Sequence, residues 1–179
     1  MRTMTKTGRA RRILLAATFL IVAAALHGET VHGDWHTGSS EDLMAGTINS
    51  FVAAYAEAHQ RAQKAPVLMV RERGEVFEAF IAWGGFRMHR ERLEIMVRFG
   101  EAEPSRWHTN RSTNGEASFI RRPGVFIERL LEHDGQKVVI QATRSTNATS
   151  VARWDLTGIT DAFVEAFGPL EGDHEPDDE

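Results

Sequence analysis

Arginines are the residues best placed to do chemistry in this chain. Arg71 and Arg73 stand two apart in VLMVRER, Arg98 sits near the end of LEIMVRF, and Arg121-Arg122 follow EASFI. In an extended segment residues i and i+2 share a face, so Arg71 and Arg73 point the same way. If their strand neighbours the one bearing Arg98, a row of guanidinium groups results. Such a row grips carboxylates bidentately, so Arg71, Arg73 and Arg98, with Trp107 as an aromatic contact, are the candidate partner-binding residues. Cross-strand pairing of the arginines with Glu78 or Glu94 is the competing structural use.

Other chemistries find little support. His32, His36, His59, His89, His108, His133 and His174 are scattered, with no H-E-x-x-H and no cysteine. His32 and His36 form an H-x-x-x-H, which joins two imidazoles on one metal only in a helix, and Gly33 with its polar surroundings opposes a helix. There is no G-x-S-x-G and no S-x-x-K, and carboxylates such as Glu75, Glu78 and Glu94 on alternating strand positions face solvent. Gly84-Gly85 leads into no helix that would present a phosphate site. The expectation is therefore no catalytic residue, no metal and no cofactor. An exported hydrolase whose site lacks a local motif stays open as the alternative to an interaction module.

The elements that must position these residues follow from pattern. VLMVRER (67–73), Gly74 and EVFEAFIAW (75–83) read as a hairpin of two β-branched and aromatic strands. LEIMVRF (93–99) places Leu93, Ile95, Val97 and Phe99 on one side, the period of a half-buried strand. SRWHTN and EASFI are shorter strands joined across Asn114-Gly115. After Pro123-Gly124, Phe126, Ile127, Leu130 and Leu131 recur at helical spacing. KVVIQATR and VARWDL form a second hairpin across STNATS. The closing segment from Thr160 to Phe167 carries Phe163, Val164 and Phe167 on one helical face, with Thr160 as the expected N-cap and Gly168-Pro169 as the stop. Trp83, Trp107 and Trp154 read as core residues, or as recognition residues where solvent reaches them.

Length and composition bound the rest. Arg2, Lys6, Arg9, Arg11 and Arg12 precede an apolar run from Ile13 to Leu26, shorter than the roughly 18–20 residues of a membrane span, and Ala23–Ala25 supply an A-x-A-like site. Residues 1–28 are thus expected to be a signal peptide, and the protein periplasmic or secreted, with no transmembrane helix after cleavage. Without those five basic residues, 21 basic and 25 acidic residues become 16 and 25, and six of the acids lie in residues 171–179. That segment, EGDHEPDDE, reads as a disordered tail. The body, 29–170, is long enough for one domain with its own core. It must do without crosslinks, because the chain contains no cysteine. Its slight negative charge gives no nucleic-acid footprint.

In order, Trp35, PVLMVRERG, FIAWGGF, LEIMVRFG, SRWHTN, FIERLL and ARWDLTGITDAF resemble the periplasmic accessory proteins of type VI secretion, the VasI or TagO-type family, over Trp35 to Phe167. The family's L-x-V-R-C strand is matched by Leu68, Val70 and Arg71, with Glu72 where the family has cysteine. Its V-x-Y-R strand is matched loosely by Val97 and Phe99, with Gly100 at the arginine position. Its tryptophan is matched by Trp107, and its closing F-D-L-x-G by Trp154, Asp155, Leu156 and Gly158. The resemblance implies an exported, β-rich, non-enzymatic accessory protein with a protein or cell-envelope partner.

One segment is contested between helix and strand. TINSFVAAYAEAHQRAQKAP has the alanine content and the spacing of Ile48, Phe51, Val52 and Tyr55 for a helix, while a β-rich domain favours a strand over Thr47 to Tyr55. The strand is the reading adopted. The fold expected overall is α+β and mainly antiparallel β: a curled sheet or β-sandwich with a short helix and a C-terminal helix.

Overall fold

The computed structural model describes residues 30–42, 47–57, 65–74 and 76–169. The proposed leader at 1–28 and the acidic segment at 171–179 lie outside them. The described chain forms β1 (Thr30–His32), β2 (Trp35–Asp42), β3 (Thr47–Tyr55), β4 (Val67–Arg73), β5 (Val76–Ala82), β6 (Glu94–Phe99), β7 (Ser105–Arg111), β8 (Ala117–Ile120), α1 (Pro123–Glu132), β9 (Lys137–Thr143), β10 (Thr149–Asp155) and α2 (Ile159–Phe167). The strands make one 10-stranded sheet in the order β1-β2-β3-β4-β5-β8-β7-β6-β9-β10, and every pairing is antiparallel. This is a mainly antiparallel α+β fold.

The contested segment is a strand. Thr47–Ala54 pairs with β2 and Phe51–Tyr55 with β4, and the ladder hydrogen bonds gained on both sides of its second half outweigh the mild helix preference of its alanines. The N-terminal hairpin β1–β2 is the element that pattern did not reveal: WHTGSSED has neither β-branched density nor a clean alternation, and it is drawn into the sheet by pairing with β3 from Thr47 to Ala54.

The sheet curls until its two ends meet. Trp154 of β10 donates its indole N–H to the carbonyl of Ala54 in β3 at 3.1 Å. Trp35 of β2 donates to the carbonyl of Asp155 at 3.1 Å, and the Glu57 amide donates to the Arg153 carbonyl at 2.8 Å. The inner face carries Leu68, Val70, Ile81, Val97, Ile140 and Trp154, all buried in one cluster. Each fully buried large side chain stabilises by about 1.5–3 kcal/mol, which suits a chain without crosslinks.

Both helices plug this curl. α1 buries Phe126, Ile127 and Leu130; Phe126 packs on Phe99 and Trp107. α2 buries Ile159, Ala162 and Phe163, and Phe163 and Phe167 pack on Phe77 at the start of β5. Thr160 is not the N-cap of α2. Gly158, at φ 85°, takes that position, and the cap is supplied from a distance. Asp134, in the turn after α1, accepts the Gly158 N–H at 2.9 Å and the Thr160 N–H at 3.2 Å, so the orphan amides of the first turn are met by a carboxylate from another element. No helix among the described residues is long and apolar enough to cross a membrane.

Candidate binding surfaces

The predicted arginines do not form one row. Arg71 lies directly opposite Glu78 and donates from Nε to its carboxylate at 2.6 Å, while its guanidinium covers the Phe80 ring at 5.1 Å. Arg73 is exposed at the end of β4. Arg98 is exposed on β6, and β5, β8 and β7 separate β6 from β4. Sheet order is set by long-range pairing, which the local pattern around each arginine does not encode. Trp107 is half-buried, donates its indole N–H to Ser105 Oγ at 2.9 Å and packs edge-on against Phe126. It stands at the border of the core, with its polar end already partnered inside the chain.

What β4 does build is an apolar outer face. Register aligns Ala53, Met69, Phe80 and Phe119 across β3, β4, β5 and β8, on the side opposite the core. Beside this row lie Tyr55, Val67, Ala82 and Ala117. Phe80 and Phe119 stack at 4.8 Å, and Tyr55 is 62% exposed. Phe80 is buried yet stands apart from the main core cluster, shielded by Phe119 and the Arg71 guanidinium. A sheet face turned to water is ordinarily polar; this one is not. The signal was present in the sequence: Val67-Leu68-Met69-Val70 and Ala79-Phe80-Ile81-Ala82 are apolar at both parities, the pattern of a strand with two faces to cover.

A second feature lies on the other wall. An open cleft of about 580 Å³ on the outer face of β6, β7 and β9 is lined by Arg92, Glu94, Met96, Arg106, His108 and Arg121, among others. Glu94 sits between Arg106 at 3.5 Å and His108 at 3.4 Å.

Titratable groups elsewhere serve the fold. Burial opposes the charge of Asp134, but hydrogen bonds from the Thr160 hydroxyl and from the Gly158, Thr160 and Gly135 amides outweigh it and hold the carboxyl below its ordinary 3.8. Asp155 is lowered by the Thr157 hydroxyl and amide, and Glu165 by the Thr30 hydroxyl and then by His32. His32 contacts Glu165, tying the β1–β2 hairpin to α2. His36 lies opposite Val31 on the strand and edge-on to Tyr55, so the H-x-x-x-H is spread over a hairpin. Among the described residues no three His, Cys, Asp or Glu side chains are grouped to hold a metal. Ser118 is buried with its Oγ accepting the Trp83 indole N–H at 2.9 Å.

The domain thus belongs to the class of mainly-β α+β folds in which one curled antiparallel sheet encloses its helices, with features suited to contact on the outside of the sheet. No family model and no curated protein matches the sequence. Among solved structures, invasion associated protein B from Bartonella henselae is similar, with a TM-score of 0.55 over 78% of this chain and 96% of that one at 9% identity. At that identity the likeness is one of fold.

Proposed function

We propose that this chain is an exported, periplasmic interaction module that works by binding rather than catalysis, and that its partner docks on the outer face of β3, β4, β5 and β8. The observation that carries this reading is the apolar row Met69, Phe80 and Phe119 with the exposed Tyr55 beside it. Contiguous apolar surface of this kind marks contact sites. Arg73, exposed at the end of the same face, suits a partner that sets a carboxylate at the margin of an apolar contact. The leader-like N-terminus supports export, and the resemblance to type VI secretion accessory proteins supports an envelope partner.

Photocrosslinking in the native cell envelope tests the reading. A crosslinking residue at Met69 is expected to capture one defined protein, and the same residue at Val151 on β10 is expected not to. Equal capture from both positions would refute the assigned face. A type VI component among the products supports that finer assignment, and a different envelope protein replaces it.

A further inference from the structure

We propose that the arginine-lined cleft on β6, β7 and β9 is a receptor for an acidic peptide segment, and that in this chain its occupant is residues 171–179 of the same molecule. The cleft holds Arg92, Arg106, Arg121 and His108 against Glu91 and Glu94, on a chain whose net charge is −4. Among the described residues the carboxylate that engages these cations is Glu94, shared between Arg106 and His108, each about two-thirds exposed. Arg121 uses Nε on Asn110 at 3.1 Å, which leaves its terminal nitrogens for another acceptor. Among the described residues neither Arg92 nor Arg121 has a carboxylate within ion-pair distance. Guanidinium forks turned outward in a concave site select carboxylates.

The matching segment is in the same chain. Residues 171–179 carry six carboxylates and no lysine or arginine. Their point of departure is at the same end of the sheet as Arg121. Phe167, at the end of α2, packs 5.0 Å from Phe77, at the beginning of β5. β5 is bonded to β8 with Phe80 opposite Phe119, and two residues beyond Phe119, β8 delivers Arg121 to the cleft. Nine extended residues reach about 30 Å. Tethering raises the local concentration of such a segment to about the millimolar range, so weak, salt-sensitive ion pairs suffice to keep the cleft filled. An acidic partner would then have to displace the segment.

The absence of cysteine makes the test direct, because Pro176→Cys creates a single site for a nitroxide label. In the full chain at low ionic strength, amide resonances of Glu94, Arg106, His108 and Arg121 are expected to broaden, while those of Val67 and Met69 stay sharp. Raising salt to about 0.5 M should abolish the broadening, as should Arg106→Ser with Arg121→Ser. Asp177→Asn with Asp178→Asn, which leaves the cleft untouched, should weaken it even if the arginine variant fails to fold. Absence of broadening at low salt, or broadening centred on another surface, overturns the site. Broadening that appears only between labelled and isotope-enriched molecules mixed together overturns the intramolecular occupant.

Discussion

The indole N–H of Trp154 donates to the main-chain carbonyl of Ala54 at 3.1 Å across 100 residues of sequence, so the last strand of the sheet is fastened to the third through a side chain. The fully buried tryptophan both fills the curl and satisfies a buried acceptor. Removing the ring loses both. Trp154→Ala is expected to cost about 3–5 kcal/mol, a large share of the 5–15 kcal/mol typical of a domain. Trp154→Phe keeps most of the apolar volume but loses the indole hydrogen bond to the Ala54 carbonyl, at about 0.5–1.5 kcal/mol. Urea unfolding midpoints should therefore fall in the order wild type, Phe, Ala; an Ala variant with an unchanged midpoint would show that the fastening is dispensable.

Much of this was legible locally. The hairpin at Gly74, the alternation of Ile95, Val97 and Phe99, the Asn114-Gly115 turn and both helices follow from periodicity and turn chemistry, and their observed bounds lie within a few residues of expectation. What escaped was non-local. β2 is a strand because β3 lies beside it, not because WHTGSSED prefers one. The α2 cap comes from Asp134, 24 residues before Gly158, and no rule about Thr160 could have found it. For the binding surfaces, sequence named the arginines and the cross-strand partner Glu78 that Arg71 meets, but not the strand order, which sets Arg98 three strands away. The apolar outer face was readable in the double-parity runs around Met69 and Phe80, had the question been which strands have two faces to cover.

The remote cap gives a prediction for acid stability. The carboxyl of Asp134 is held below its ordinary value in the folded state. Its contribution is therefore fully present above the unfolded-state pKa of about 3.9 and is lost as pH falls through the lower folded value. Asp134→Ala should melt below wild type at neutral pH, and the gap should close progressively from about pH 4 downward. Melting temperatures measured across that range check it; a gap that stays constant into strong acid would mean the carboxylate's charge is not what caps α2.

Two glycines separate backbone strain from crowding. Gly33 and Gly74 have nearly the same φ, +61° and +62°, but a Cβ on Gly33 would lie 2.3 Å from the Thr157 carbonyl oxygen, whereas on Gly74 it meets nothing within 4 Å. Gly74→Ala should cost only the left-handed penalty, about 1–2 kcal/mol. Gly33→Ala should cost clearly more, because the β1–β2 turn must move away from the segment that follows β10. Equal midpoints for the two variants would argue that this close approach is not held in solution.

The arginines themselves offer the sharpest division between structure and binding. Arg71 is about one-quarter exposed, bonds Glu78 and shields Phe80, so Arg71→Ala removes a charge-assisted hydrogen bond and a cover from an apolar ring; a loss of about 1–2 kcal/mol is expected once solvent screening is allowed for. Arg98→Ala, on an exposed strand position, should stay within about 0.5 kcal/mol. Since three strands lie between them, the double variant should show the sum of the two effects, with no coupling beyond about 0.5 kcal/mol. Partner capture from a crosslinking residue at Met69 should fall with Arg71→Ala, through the disturbed Phe80–Phe119 stack, and be unaffected by Arg98→Ala. A double-mutant cycle with strong coupling would contradict the sheet order that separates the two residues, and capture that depends on Arg98 would move the binding face to the opposite wall.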